Sequence, residues 1–444
     1  MTVSNLHPEH LADLRTSGLA DEAIRVHEIK GLKMAKSERP EPIFIANRVE
    51  QEFDLIFYGG QFWYYNEGCY RPAEMEIREF LQTVLGKDFS SHFVKEVFYV
   101  LESRCFKKAI ASDPGFINLR NGVYDWINAK LYPHSEMPDK RFIYQLPVSF
   151  NPKAKTPRIE KFLSEVVRPE DKKALLQFVG YCLIPTTRFE KAMMLLGEGA
   201  NGKSTLIKIL ISLLGKDNVS TLSLHDLSHR FRLADLVGKL LNVFPDLPYR
   251  RLQDTANFKG LVSGDPITAE RKYQRPFTFE NFARLVFSTN KLPPTLDVSP
   301  AFFRRWLLIE FPNSFYGKDR DPGLLSRLTT REELEGFLLM AIEGLNSLYE
   351  AEEFTESQDM KDLRTEYERT SNPVNAFLEE QCQVDADAEI ENAELFTAFR
   401  RYMFKEKLPS IGRNDFYKEL KKIVPSLVEV RDSSRRYRGI KVIS

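Results

Sequence analysis

The spacing of apolar residues changes several times along the chain, and each change predicts a different element. Leu11, Leu14, Leu19, Ile24 and Val26 recur at helical intervals around Ser17 and Gly18, which predicts a helical hairpin over residues 1–40. A unit of that size buries too little area to stand alone and reads as a tail or docking element. From Phe53 to Tyr70 aromatic residues crowd short runs broken at Gly59-Gly60 and at Asn66 to Gly68, the pattern of brief strands joined by tight turns. Their rings could stack on bases, but half-buried sheet positions call for the same residues. Helical spacing returns from Ile77 to Phe106, and the segment Asn118 to Asp125 carries an Asn-Gly hairpin signal at Asn121-Gly122. Residues 41–150 therefore read as a mixed α+β domain.

Asn151-Pro152 and Thr156-Pro157 mark a boundary before a helix rich in Leu and Val. Apolar strands then alternate with helices, so residues 151–348 read as an α/β layer structure. Charge dominates from Glu350 to Thr370, as in a solvated linking helix. Within 349–444, helical patterns at Val374 to Glu380, Glu394 to Phe404 and Arg413 to Val424 precede a basic Arg431 to Arg438 segment between β-like runs. Helices followed by a β-ribbon predict a winged-helix-like domain, with Arg435, Arg436 and Arg438 as candidate DNA contacts on its wing.

Composition narrows the class. The 444 residues suggest about three domains, and hydrophobic and charged fractions of 43% and 28% are those of a soluble globular protein. No apolar run approaches a membrane span, and His7, Glu9, His10 and Asp13 at the start do not make a secretory signal. Cys69, Cys105, Cys182 and Cys382 stand singly, without zinc-ligand or disulfide spacing, which fits buried thiols in a cytoplasm. The formal net charge of zero means that any contact with nucleic acid must come from local patches.

The strongest chemical signal follows the apolar run Ala192 to Leu196. Gly197-Glu198-Gly199-Ala200-Asn201-Gly202-Lys203-Ser204-Thr205 has the form G-x-x-x-x-G-K-S, and an apolar helix follows until Gly215 stops it. Glycines let the backbone curl so that its N–H groups and the helix start face phosphates. Gly197, Gly199, Asn201, Gly202, Lys203, Ser204 and Thr205 are thus the expected ATP-binding set, with Lys203 on the β- and γ-phosphates and the Ser204 hydroxyl on Mg²⁺.

Such a loop needs an acid on a neighbouring strand for the metal. Leu240 to Phe244 leads to Asp246, the expected second Mg²⁺ residue; Leu247 follows, so no adjacent acid is present to activate water, and Asp254 and Glu270 both remain open for that role. The strand Ala283 to Ser288 ends at Thr289-Asn290, where the Asn290 amide could orient water beside the γ-phosphate. Arg304 and Arg305 stand fourteen and fifteen residues further on, where a finger reaching a neighbouring subunit's nucleotide would fit, with Arg305 the first choice.

The order of loop, acid, polar sensor and arginine pair within about 110 residues resembles a superfamily-three helicase. Asn201 to Thr205, Leu236-Val237-Gly238-Lys239, Ser263-Gly264-Asp265, Ser288-Thr289-Asn290-Lys291-Leu292-Pro293 and Phe303-Arg304-Arg305 resemble the phage, plasmid and poxvirus primase-helicase family. The likeness extends from about Phe53 to the C-terminus. It implies an AAA+-like P-loop ATPase core that assembles into a ring, with six subunits expected, and moves single-stranded DNA through its pore to open forked DNA. It further implies a pore hairpin at Arg271-Lys272-Tyr273-Gln274-Arg275, where Arg271 and Lys272 would contact the strand, and replication of a mobile element in a bacterial host. The first 150 residues lack the acids, histidine and zinc spacing of a primase, so a separately encoded primase or initiator is the expected partner. An ATP-switched initiator or loader that unwinds little is the competing reading, and a small-molecule P-loop kinase is disfavoured by the arginine pair and the basic terminal segment.

Overall fold

The computed structural model describes residues 40–443 except 109, 111–112, 138–140, 296, 317–320, 407, 409 and 432–434. The predicted hairpin over residues 1–40 lies outside the described residues except at its last position. The chain divides into two compact units, residues 1–111 with 141–143, and residues 112–140 with 144–444.

In the first unit, α1 (Pro42–Glu52) precedes a meander of β1 (Leu55–Tyr58), β2 (Gln61–Asn66) and β3 (Cys69–Pro72), followed by α2 (Glu74–Leu85) and α3 (Ser91–Cys105). Ser90 caps α3 by accepting a hydrogen bond from the Phe93 amide. Val49, Ile77, Leu81, Val94, Val97 and Leu101 meet in one core with the sheet. Phe62 and Trp63 are buried and Tyr65 is exposed, so this aromatic run mainly serves packing.

The second unit opens with β4 (Phe116–Leu119), β5 (Gly122–Asp125) and β6 (Lys130–Tyr132), a meander whose first turn is Arg120-Asn121, with Gly122 already paired to Leu119. The hairpin expected at Asn121-Gly122 is thus present, one residue earlier. Asn118 donates to Tyr144 O at 2.9 Å and accepts the Leu146 amide, and Arg120 N donates to Val148 O at 3.0 Å. These bonds tie the meander to the chain leading into the α/β layer, so the units part near 111 rather than at the prolines near 150.

Two helices, α4 (Pro157–Val166) and α5 (Pro169–Tyr181), lead to β7 (Ala192–Leu196). After α6 (Lys203–Leu214) come β8 (Val219–Ser220), the short α7 (Arg230–Leu233), β9 (Leu241–Phe244), α8 (Ala256–Ser263), β10 (Pro266–Ala269), β11 (Phe277–Glu280), β12 (Arg284–Thr289), α9 (Pro300–Phe303) and β13 (Trp306–Glu310). The main sheet is parallel in the order β13-β7-β12-β9-β8. Its central strands are buried on both faces, and that explains why they read as continuous apolar runs without alternation.

The small α10 (Leu324–Leu328), the long α11 (Arg331–Ala351) and α12 (Gln358–Ser371) close the layer. The charged helix expected over Glu350 to Thr370 is not wholly solvated. Met360 and Tyr367 of α12 are buried, Tyr367 packs on Phe302 and Phe303, and its hydroxyl donates to Pro293 O at 2.7 Å. One apolar edge docks the helix while its other faces stay charged.

Three further helices, α13 (Pro373–Gln381), α14 (Asn392–Lys405) and α15 (Arg413–Ile423), surround a core of Phe377, Leu395, Phe399, Phe416 and Leu420. The strand β14 (Cys382–Glu391) between the first two was not expected; it pairs with β16 (Arg435–Val442), which also pairs with β15 (Val428–Arg431). Only Ile390 of β14 is buried, so its sequence carries almost no hydrophobic signal.

The loop between β12 and α9 is organised by Asp297, whose carboxylate accepts from Lys259 at 2.7 Å and from Thr255 and Ser299. Burial raises its pKa, but these hydrogen bonds more than offset that and hold it at about 2. Asp297→Ala should therefore lower stability by about 1–3 kcal/mol at neutral pH. Because the folded pKa is depressed, this contribution is complete above the ordinary carboxylate range and is lost as pH falls through about 2. Urea unfolding of both proteins from pH 7 to pH 2 should show the gap closing only at the acidic end.

Candidate functional site

The chain leaves β7 toward the far edge strand β8, while β13 returns on its other side. The C-terminal end of β7 is therefore a topological switch point, the place where parallel sheets leave a crevice for ligands. The loop 197–202 occupies it. Gly197 has φ +156° and an added Cβ would lie 2.1 Å from Asn201 Nδ2; Gly202 has φ +91° and an added Cβ would lie 2.7 Å from Val166 Cγ1. Only glycine meets both demands, left-handed backbone and close approach.

Asn201 braces the loop by donating to Phe311 O at 3.3 Å, and its side-chain oxygen accepts from Lys203 Nζ at 3.0 Å. Lys203 Nζ also donates to the carbonyls of Gly197 and Glu198. Burial lowers the pKa of this ammonium and Asp246 pulls it upward. The loop is thus curled around a buried cation.

Neighbouring strands bring the other groups. The Leu247 amide donates to Ser288 O at 2.7 Å, Thr289 Oγ1 donates to Leu247 O at 3.1 Å, and the Gly197 amide donates to Thr289 O at 3.3 Å. These bonds link the ends of β7, β9 and β12, so that Lys203, Ser204, Thr205, Asp246 and Asn290 line one cleft of about 780 Å³, a volume suited to a nucleotide. Ser288 also faces this cleft, and its buried hydroxyl finds no hydrogen-bond partner among the described residues. A buried orphan hydroxyl beside a lysine and a carboxylate suits a polar ligand with its hydrated cation.

The arginines are not part of this cleft. In the β7–β13 pairing Trp306 faces Ala192 and Glu310 faces Leu196, so Arg304 and Arg305 stand at the opposite end of the sheet, roughly 16 Å away along the strand. Arg305 has a side chain only 9% exposed, pairs with Glu190 at 3.1 Å and donates to Ser263 Oγ at 2.6 Å. Arg304 is 67% exposed and lies 3.6 Å from Glu190. Of the pair, Arg304 is thus the side chain that faces solvent, whereas Arg305, the one preferred on sequence grounds, is held inside its own chain.

Neither open acid lines the cleft. Asp254 accepts the Ala256 amide at the start of α8, and Glu270 pairs with Arg230 at 2.9 Å. Arg158, Lys161 and Glu165 of α4, with Asp321 and Arg327 around α10, do line it, and no motif marked them. Their positions follow from helix docking beside the loop rather than from local spacing.

The basic run Arg271 to Arg275 forms the tip between β10 and β11, which pair antiparallel from Pro266↔Glu280 to Ala269↔Phe277. Tyr273 is 92% exposed with Lys272 near its ring, whereas Arg271 turns back to donate to Ala234 O. In the C-terminal sheet, Arg436 and Arg438 both pair with Glu389 across β14, and Arg435 is exposed. Two of the three expected wing contacts thus already hold a carboxylate.

Comparison with known proteins fits this arrangement. Residues 42–168 match a family model described as D5 N terminal like, and residues 195–305 match a family of unknown function, DUF5906. A provisionally named primase of African swine fever virus, from a warthog isolate of Namibia and a pig isolate of Kenya, is 24% identical over 220 residues. These similarities point to proteins of the primase-helicase kind. The aligned part covers 47% of this chain and 23% of the viral protein. The fold is similar to the A form apo structure of the NrS-1 C-terminal region, with a TM-score of 0.50 at 13% identity over 91% of this chain and 100% of that one.

Proposed function

We propose that this chain is an ATP-dependent DNA helicase of superfamily three that forms a ring and acts in replication of a mobile genetic element. The observation that carries the reading is the buried Lys203 at the start of α6, ringed by its loop and facing Asp246, Asn290 and the orphan Ser288 hydroxyl in one cleft. In this reading the parallel sheet is an AAA+-like core and residues 373–443 form a winged helix.

Lys203 leaves its loop carbonyls to meet the β- and γ-phosphates of ATP, and the backbone N–H groups of 199–205 receive the remaining oxygens. Ser204 and Asp246 would hold Mg²⁺, which when bound neutralises charge on the phosphate oxygens. Asn290 orients the attacking water. The wide separation of Arg304 from its own phosphate loop supports self-association, since a guanidinium at the other end of the sheet reaches a nucleotide only across a subunit boundary. On the strand side, Lys272 and exposed Tyr273 offer a positive charge and a stacking face to single-stranded DNA. The viral relative's name as a primase supports a replication role, and a separately encoded primase or initiator would be the partner.

Lys203→Ala should abolish ATP hydrolysis and unwinding of forked DNA, because the cation on the transferred phosphoryl group is gone; wild-type turnover in a phosphate-release assay would sink the assignment. Arg304→Ala should slow hydrolysis by about 10³ to 10⁵. Mixed with Lys203→Ala subunits, it should recover part of the activity, since some interfaces then pair an intact loop with an intact arginine; no recovery in verified mixed rings refutes action in trans.

For the hairpin, Lys272→Ala should keep basal ATPase and assembly but lose stimulation by single-stranded DNA, because the nucleotide site is untouched and the strand is no longer gripped. Stimulated ATPase and strand separation at wild-type rates would remove the hairpin from the mechanism.

A further inference from the structure

The cleft has two unlike walls. Asp246, Ser288 and Asn290 stand on the side of β9 and β12, where the terminal phosphate belongs, while α4 and α10 close the other side. Phe162 and Val166 of α4 touch the position of Gly202 at the helix start, so this second wall begins where the phosphate loop ends. It carries apolar side chains at Phe162, Val166, Leu324 and Leu328, with the charged Arg158, Lys161, Glu165 and Asp321 among them. A nucleoside attached to phosphates in the loop would lie against it.

Arg327 lines this same wall. Its side chain is 48% exposed, its guanidinium pairs with Asp321, and it lies over Gly323, where an added Cβ would come within 2.7 Å of Nη1. A planar, half-exposed guanidinium beside apolar side chains is suited to stacking on an aromatic ring, and an exposed ion pair of this kind is weak enough to be exchanged for it. We propose that Arg327 clamps the nucleobase of the bound nucleotide against the α4–α10 wall, and that Asp321 holds the guanidinium aside until the base arrives. This rests on the nucleotide reading of the loop and adds the residue that recognises the nucleoside.

The test compares Mg²⁺ complexes of ATP, ADP and inorganic tripolyphosphate, which has no base, binding to the full chain by calorimetry. Arg327→Ala should weaken ATP and ADP alike, by about threefold to thirtyfold, and leave tripolyphosphate unchanged. Arg327→Lys should not restore the loss, because an ammonium keeps the charge without the plane. Asp321→Asn should tighten ATP and ADP a few-fold by releasing the guanidinium. If Arg327→Ala weakens ATP and tripolyphosphate but spares ADP, the residue contacts the terminal phosphate and the clamp is wrong. Unchanged affinity for all three ligands means that Arg327 serves only its surface pair, which also overturns the clamp. Loss of ATP and tripolyphosphate binding in Lys203→Ala with retained binding in the wild type keeps the loop assignment separate from this result; a wild-type chain that binds neither refutes both.

Discussion

A parallel sheet has two chemically different ends, and almost everything functional in this chain depends on that difference. At the C-terminal end of β7 the chain turns through Gly197 and Gly202 into a helix start, and the ends of β9 and β12 are hydrogen-bonded to it. At the N-terminal end, Glu190 and Lys191 hold the arginine pair: Glu190 binds both guanidinium groups and Lys191 Nζ donates to Arg304 O at 2.8 Å. Because β13 runs parallel and in register with β7, the two groups cannot meet within one chain.

Burial of Lys203 is the second constraint. An ammonium removed from water must find acceptors, and here the loop itself supplies them through Asn201 and two carbonyls. The loop is thereby kept curled around the lysine. Lys191 solves the same problem at the other end through Glu356, with Arg364 on the opposite side of that carboxylate. The two lysines thus differ in what partners them: loop carbonyls and the Asn201 amide, or a fixed carboxylate that ties α12 to the sheet.

Surface charge is sorted in a comparable way. Glu389 on β14 neutralises Arg436 and Arg438, whereas the tip of the β10–β11 hairpin keeps Lys272 and Tyr273 in solvent. Of the two basic regions, the hairpin is therefore the better equipped to meet a phosphate backbone, and the terminal sheet owes part of its cross-strand cohesion to ion pairs.

Much of this was legible in the residues alone. Continuous apolar runs identified the buried parallel strands, and G-x-x-x-x-G-K-S between a strand and a helix marked the glycine loop that leaves β7, because those patterns follow from local geometry and burial. Asp246 and Asn290 were singled out by their places at strand ends, and the structure brings both to the same cleft. The strand β14 was invisible, since a polar edge strand has no periodic apolar face. Arg158, Lys161 and Arg327 were invisible as well, because helix packing brings them to the cleft from positions up to 45 residues before and 124 after Lys203. Sequence named Arg304 and Arg305 as a pair and preferred Arg305, with nothing in it to show which guanidinium is enclosed. That choice belonged to the tertiary structure: Glu190 and Ser263, remote in the chain, enclose one guanidinium and leave its neighbour facing solvent.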